Sequence, residues 1–393
     1  MGRGVAVSGA IAVVVVLALL LWPRLPTVTL VAVGDVMLGR GVADDIKRHG
    51  ADWLFAPTAD ISRGADIAFC NLECALSRDA PLLPKRFAFR GDPDCAHALS
   101  QAGYDVVCLA NNHSMDCHIA GLRDTMRALT DVGVAYVGAG DDRRAARGPL
   151  ILRRRGLRIA FLARSMFIPE GVVLVDDRPA VAILDPDAIT RDVRAAAREA
   201  DVVVVSLHWG IEYSPYPTDW QRRIAHQIVD AGADVVIGHH PHCVQEVERY
   251  RGAVIAYSLG NFVFDTSRER ARHGLMLRCR LGRRGIVAVD TVPLMLKDHR
   301  PWRASQKQRA RLIAWPFSRS VVLNGALRRE QSAAATRLPP RPGDILASAS
   351  AGRSPEGRSA PADSGGHRCL RTAAEVEAAE LPSRLRRCKA APA

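Results

Sequence analysis

Between Thr27 and about Asp298, short apolar, β-branched runs alternate with segments whose apolar residues recur at helical spacing. Several runs are apolar at every position, as expected of strands covered on both faces of a sheet. The pattern predicts strands at Thr27–Val33, Asp66–Phe69, Asp105–Ala110, Val134–Gly138, Leu157–Leu162, Asp201–Leu207, Asp234–Gly238 and Ala253–Ser258. It predicts helices at His118–Asp131, Asp187–Ala200 and Asp219–Ala231. This alternation is typical of an α/β domain.

The N-terminus carries a nearly uncharged run from Val5 to Trp22, preceded by Arg3 and closed by Pro23. A run of this length is just enough to cross a bilayer as one helix. A cleavable signal peptide is the alternative, but the run ends in bulky residues rather than a small-residue cleavage site. Residues 1–26 are therefore predicted to be a signal anchor. We expect a single-pass protein of the cell membrane with its folded body outside the cytoplasm.

The amino-acid composition changes after the α/β region. Residues 331–393 are dominated by Ala, Arg, Pro, Ser and Gly, a composition that favours disorder. Residues 299–330 are intermediate, with Trp302, Trp315 and Phe317 available to dock on the domain. The predicted organisation is an anchor over residues 1–26, a domain over 27–298, a docking extension over 299–330 and a basic, disordered tail over 331–393.

The net charge of +13 is unevenly distributed. Residues 301–393 hold 17 Lys and Arg against 7 Asp and Glu, a net charge of +10, and the preceding 300 residues hold 37 against 34. A groove for nucleic acid requires positive charge among the folded elements. The nearly balanced body therefore argues against a nucleic-acid partner.

The nine cysteines are odd in number and include no C-x-x-C pair. Several adjoin apolar runs, where a free cysteine behaves as a small buried hydrophobe. This pattern argues against a disulfide framework and against a cysteine-rich zinc module.

Polar clusters lie just past the ends of five predicted strands, where α/β sheets bind ligands. They are Gly34-Asp35, Asn71-Leu72-Glu73, Asn111-Asn112-His113, His208-Trp209-Gly210 and Gly238-His239-His240-Pro241-His242. Singly, most have structural interpretations: Asp35 could close a turn, Asn112 could cap a helix and His208 could be a core histidine. The spacing of His240 and His242 is more informative, because alternate residues leaving a strand can converge on one metal.

Together these clusters supply the carboxylates and imidazoles that a dinuclear hydrolytic metal site needs. The predicted metal ligands are Asp35, Glu73, Asn112, His208, His240 and His242. Zinc or manganese suits this mixed donor set, with one or two ions bound.

These motifs, with Tyr257-Ser258-Leu259-Gly260-Asn261-Phe262, resemble those of the CapA family from about Leu30 to Asp265. CapA proteins are associated with poly-γ-glutamate capsule synthesis and belong to the metallophosphatase, or calcineurin-like phosphoesterase, superfamily. The resemblance implies an αββα sandwich of two mixed sheets flanked by helices.

The resemblance also implies a role for each residue. Asp35 would bind one metal, Glu73 would bridge two, and Asn112 would bind the second. His113 would act near the scissile bond as an acid or electrostatic stabiliser. His208, His240 and His242 match the remaining ligands, which leaves His239 the less suitable ligand.

Two positions depart from the superfamily pattern. Met37 stands where the superfamily usually has a second imidazole, so the first metal position would be one ligand short. Glu73 is one methylene longer than the usual Asp, which would change the distance between the metals.

Three further residues are predicted to contact substrate: Glu212, Tyr213 and Asn261. Loop packing is the alternative for Tyr213, and shaping of a tight turn is the alternative for Asn261.

Two functional hypotheses follow. The first is a membrane-anchored, metal-dependent hydrolase that cleaves a phosphoester or amide linkage in an envelope polymer, with His113 assisting the leaving group. The second is an accessory subunit that binds an anionic capsule polymer such as poly-γ-glutamate within a membrane synthesis complex. Met37 favours the second hypothesis and His113 favours the first.

Overall fold

The computed structural model describes residues 26–283 and 285–309. Residues 1–25 of the predicted anchor and the predicted tail over residues 331–393 lie outside this range, as do Trp315 and Phe317. Within the described residues, no helix is both long enough and apolar enough to cross a membrane. The anchor and the tail stay predictions.

The strands of the described region, in chain order, are β1 (Thr27–Val36), β2 (Ile67–Leu72), β3 (Ala75–Leu76), β4 (Arg90–Gly91), β5 (Val106–Cys108), β6 (Ala135–Val137), β7 (Ala139–Gly140), β8 (Leu150–Arg154), β9 (Leu157–Ser165), β10 (Ala180–Val181), β11 (Val202–His208), β12 (Val235–His239), β13 (Val247–Tyr250), β14 (Ala253–Ala256), β15 (Asn261–Val263), β16 (His273–Gly282), β17 (Gly285–Lys297) and β18 (Arg300–Arg303). The helices are α1 (Arg40–His49), α2 (Asp52–Phe55), α3 (Ala59–Arg63), α4 (Cys95–Gln101), α5 (His118–Asp131), α6 (Arg143–Arg147), α7 (Pro186–Glu199), α8 (Asp219–Asp230) and a 3-10 turn at Arg270–Arg272.

Two large mixed sheets form the centre of the fold. The first has the order β18-β17-β16-β1-β2-β5-β6, with β15 also paired to β1, and the second has the order β13-β14-β12-β11-β9-β8. Parallel pairs occupy the middle of each sheet, including β1 with β2 and β11 with β12. Antiparallel pairs close the second sheet at both ends and the first sheet at one end.

Three apolar layers hold the sheets and helices together. Between the sheets, Phe69 of β2 stacks on Phe161 of β9 with ring centroids 5.9 Å apart, inside a cluster drawn from both sheets. On the outer face of the first sheet, Val31 and Leu122 of α5 belong to one apolar cluster. On the outer face of the second, Val203 packs with Val193 of α7. The order is helices, sheet, sheet and helices, so the predicted αββα sandwich is confirmed.

The three predicted helices and eight predicted strands are all present, with boundaries shifted by a few residues. The long antiparallel arm of β16 and β17 was not predicted. Pro293 lies inside β17, and a proline within an apolar run argues against a central strand. All seven cysteines in the described residues are free and buried, as predicted.

The first sheet continues beyond the predicted domain end at Asp298. Lys297 pairs with Arg300, so Asp298 and His299 form a two-residue hairpin turn, and both have positive φ, of 52° and 58°. This is the geometry of a type I′ turn, whose twist matches that of the flanking strands. Trp302 therefore belongs to a strand of the sheet.

Backbone packing around Gly34 fixes the end of β1 against the segment that precedes β15. A Cβ on Gly34 would lie 1.8 Å from the carbonyl oxygen of Gly260, which also accepts the N–H of Asp35 at 3.0 Å. Glycine is required where two backbones approach this closely.

Gly34→Ala should therefore lower the free energy of unfolding of the full chain by about 3 kcal/mol, the upper end of the cost of overpacking. Gly133→Ala is the control: Gly133 has a φ of 74° but open space around it, so alanine there adds about 1 kcal/mol of backbone strain. Chemical denaturation measures both, and equal losses in the two variants would contradict this account of the packing.

Candidate metal centre

The predicted metal ligands converge where strands from both sheets end. Asp35 lies in β1, Glu73 directly follows β2, and His208 is the last residue of β11. These three side chains are fully buried, and His240 and His242 are 5% exposed. Asn112 is half-buried beside them. The structure therefore brings together side chains separated by up to 207 positions in the chain.

One set of ligand atoms surrounds the imidazole of His208. We call Glu73, Asn112, His208 and His240 the His208 group. The ligand atoms of Glu73, His208 and His240 lie within 4.8 Å of one another. His208 Nε2 is 2.8 Å from Asn112 Oδ1 and 3.8 Å from Glu73 Oε1. Ligands held about 2.0–2.2 Å from one ion have separations of this size.

A second set surrounds His242. We call Asp35, Glu73 and His242 the His242 group, and its ligand atoms also lie within 4.8 Å of one another. His242 Nδ1 is 3.3 Å from Asp35 Oδ2, and His242 Nε2 is 3.7 Å from Glu73 Oε1. Glu73 belongs to both groups, which is the geometry required of a bridging carboxylate.

Asn261 fixes the protonation of His242. Its Nδ2 donates to the carbonyl oxygen of Ala271 at 2.9 Å, so its Oδ1 is an acceptor, 3.0 Å from His242 Nδ1. His242 therefore carries a hydrogen on Nδ1, and its Nε2 faces Glu73. Contacts that orient an imidazole in this way are usual around metal sites.

Buried atoms without hydrogen-bond partners show that the donor set fits a cation. In the described residues, Glu73 Oε1 and His240 Nδ1 are buried and lack any such partner. Buried polar atoms in native proteins are almost always satisfied, so these two call for an explanation. A divalent transition ion is satisfied by this combination of carboxylate, amide and imidazole donors.

An amide chain connects the two carboxylates. Asn111 Nδ2 donates to Asn71 Oδ1 at 3.1 Å, which orients the Asn71 amide. Asn71 Nδ2 then donates to Asp35 Oδ1 at 2.9 Å and to Glu73 Oε2 at 3.3 Å. The chain holds two like charges side by side.

The electrostatics suit a cation. Burial raises the pKa of Glu73 well above its usual value, and the charge of Asp35 adds to the effect. Burial also acts to raise the pKa of Asp35, but hydrogen bonds and charge from His239 and His242 together hold it well below its usual value. Burial lowers the pKa of His208 and His240 far below that of free imidazole, which keeps both rings neutral at pH 7. Neutral imidazole is the form that binds metal.

The loop that carries two of the imidazoles has unusual backbone geometry. His240 and His242 have φ angles of 94° and 55°. Residues with side chains rarely adopt positive φ, and such strain concentrates at functional sites.

His113, the predicted catalytic residue, directly follows the ligand Asn112 in the chain and is buried. Its Nδ1 is 2.8 Å from Asp116 Oδ2, and Phe89 stacks on its ring with centroids 3.9 Å apart. Lys85 Nζ is 2.6 Å from the other oxygen of Asp116. Burial lowers the pKa of His113, and Asp116 opposes this shift.

Comparison with known proteins identifies the family. The family described as "Bacterial capsule synthesis protein PGA_cap" matches residues 29–266. The chain belongs to this family. It is 31% identical to the "Capsule biosynthesis protein CapA" of Bacillus anthracis over 281 residues, covering 70% of this chain and 68% of that protein. It is 32% identical to the "PGA biosynthesis protein CapA" of Bacillus subtilis strain 168 over 272 residues, covering 68% of this chain and 72% of that protein.

Among solved structures, a 5'-nucleotidase precursor from Thermus thermophilus matches 82% of this chain and 59% of its own. The TM-score is 0.43 at 12% identity, too low to support any argument about this PGA_cap family member.

The three residues of this PGA_cap protein that were predicted to contact substrate differ in exposure and in the residues around them. Glu212 is exposed, and its carboxylate lies within 4.8 Å of ligand atoms of His240 and His242. Tyr213 packs near His242 and has Arg268 over its ring at 4.2 Å. Asn261 is 1% exposed, and its contacts in the structure are with His242 and Ala271. The substrate contacts of all three residues stay predictions.

Sequence reasoning missed several residues of the centre. Asn71 was visible only as part of the Asn71-Leu72-Glu73 motif, without a role of its own. Asp116 and Lys85 gave no signal, because nothing in their spacing indicates contact with His113. The convergence of His240 and His242 on one metal stays a prediction: both have ligand atoms within 4.8 Å of Glu212, while His240 also lies with His208 and His242 with Asp35.

His240→Ala should weaken the tightest bound ion by more than the roughly 10- to 100-fold typical of groups that only orient a ligand. The measurement is elemental analysis of the purified full chain after dialysis against zinc or manganese. His97→Ala, at an exposed histidine outside the centre, should keep the wild-type content. Retention of the ion in His240→Ala would exclude this residue as a ligand.

Proposed function

We propose that this PGA_cap protein is a metal-dependent hydrolase that cleaves a phosphoester or amide linkage during synthesis, export or processing of an extracellular capsule polymer such as poly-γ-glutamate. The observation that carries the proposal is the pair of ligand groups joined at the buried carboxylate of Glu73, with buried His113 next to the ligand Asn112 in the chain. Divalent ions in such a site supply Lewis acidity toward water and toward the oxygen of the scissile group.

The residues around His113 suit proton transfer. Asp116 faces Nδ1, so the other ring nitrogen is left to exchange a proton with substrate. Asp116 also stabilises the ring when it carries a second proton, as a carboxylate does for other catalytic histidines. Lys85 and the backbone N–H of Phe89 both hold Asp116 in place. This arrangement favours His113 as the donor of a proton to the departing oxygen or nitrogen.

The capsule pathway is supported by the names of the two Bacillus relatives, which refer to capsule and PGA biosynthesis. An anionic polymer also suits the residues at the mouth of the centre, where the exposed Arg268 lies over the Tyr213 ring. The proposed partners are therefore the polymer and membrane subunits that make or export it.

A second candidate function is that of a non-catalytic accessory subunit, which binds the carboxylates of the polymer. Met37 favours it. The Met37 sulfur accepts the backbone N–H of Gly39 at 3.1 Å, and the side chain is fully buried. Met37 therefore supplies no imidazole to the His242 group, which has one histidine among its three members.

His113→Ala distinguishes the two functions. His113 is not a member of either ligand group, so the variant should keep its metal and its fold. For a hydrolase, the turnover of a phosphoester or amide substrate found by a hydrolysis screen should fall by about 10²- to 10⁴-fold, the usual contribution of general acid catalysis. For an accessory subunit, capsule production by cells carrying His113→Ala should be nearly unchanged.

His208→Ala removes a ligand and should abolish function under both hypotheses, and His97→Ala should preserve it. Undiminished activity in both His113→Ala and His208→Ala would refute the proposed function. Loss in His208→Ala alone would favour the accessory role.

A further inference from the structure

Glu212 occupies a position that its predicted role in substrate contact does not explain. Its carboxylate lies within 4.8 Å of ligand atoms of both His240 and His242. Among the residues that the structure describes, no hydrogen bond or ion pair engages this carboxylate.

The backbone conformation around Glu212 holds this residue next to the centre. Ser214 donates its N–H to the carbonyl oxygen of Ile211 at 3.2 Å, so Glu212 and Tyr213 are the central residues of a β-turn. Tyr213 has a φ of 61°, in a turn position that normally requires glycine. Its N–H donates at 2.8 Å to the carbonyl oxygen of Pro241, the residue between the two imidazoles. The turn is thereby fastened to the loop that carries His240 and His242.

The two ligand groups differ in the number of side chains that they offer to an ion. The His208 group offers four side chains, the usual number for a tetrahedral site. The His242 group offers three, and Met37 cannot extend it because its sulfur is engaged by Gly39. A further donor is available at the exposed side of the centre, where Glu212 lies.

We propose that Glu212 is the fourth protein ligand of the His242 group, completing a second, weaker ion site beside the His208 group. This inference rests on the proposed function, because it assumes that the centre binds divalent ions. Two ligands of one ion lie at most about 4.4 Å apart. A small rotation of this exposed side chain brings its carboxylate within that distance of His242.

The test is titration of the metal-free full chain with manganese, with bound ions counted by equilibrium dialysis and elemental analysis. The wild type should bind two ions of different affinity. Glu212→Gln, which keeps the shape and removes the charge, should weaken only the weaker ion, by about 100-fold or more. Adding His208→Ala to Glu212→Gln should also remove the remaining ion. Glu199→Gln, an exposed glutamate on α7, controls for loss of one negative charge.

Wild-type binding of both ions in Glu212→Gln would overturn the inference, and so would an equal loss in Glu199→Gln. Loss of the tighter ion would also overturn it, because Glu212 would then serve the His208 group. A wild type that binds a single ion up to millimolar manganese would leave the His208 group intact and refute the second site. A wild type that binds neither zinc nor manganese would refute the proposed function itself.

Discussion

The burial of Glu73 beside Asp35 is the constraint on which the centre depends. Both carboxylates are fully removed from solvent, and moving an ionised group out of water costs several kcal/mol unless an opposite charge or hydrogen bonds compensate. Asn71 supplies N–H donors to both, but one oxygen of Glu73 has no hydrogen-bond partner among the described residues. The surrounding histidines His208 and His240 are kept neutral by burial, so they add little positive charge. A bound cation resolves this imbalance.

The αββα architecture positions the residues that surround the buried pair Glu73 and Asp35. Asp35 and Glu73 come from the first sheet, and His208 and His240 come from the second. The apolar layer between the sheets, with Phe69 stacked on Phe161, therefore sets the distance between the carboxylates and the imidazoles. Hydrogen bonds of the amide chain and positive φ at His240 and His242 add local precision. Stability of the sandwich and geometry of the centre are thus two consequences of the same packing.

Much of this arrangement could be predicted from the sequence, because two signals are local. Fully apolar runs such as Val202–Leu207 indicate buried strands, and ligand-type residues just past their ends indicate a site at the carboxyl edge. The resemblance to CapA proteins added the bridging role of Glu73, and the structure gives Glu73 the matching position between both ligand groups.

The remaining features depend on contacts that leave no local pattern. The positions of the His240 and His242 side chains depend on the positive φ angles of that loop, which the residue types at those positions do not predict. Asp116 contacts His113 and is itself held by Lys85 and by the N–H of Phe89, two residues that lie far from it in the chain. The β16–β17 arm was missed because Pro293 and polar residues such as Asp290 interrupt the apolar pattern of β17.

The central claim is that one carboxylate serves both ligand groups, and the metal content of Glu73→Gln tests it most directly. Glutamine keeps the size of the side chain and its contact with Asn71 but removes the shared charge. The account predicts that the full chain with Glu73→Gln, dialysed against manganese beside the wild type, loses both ions while the metal-free protein stays folded. Retention of the wild-type metal content in Glu73→Gln would contradict it.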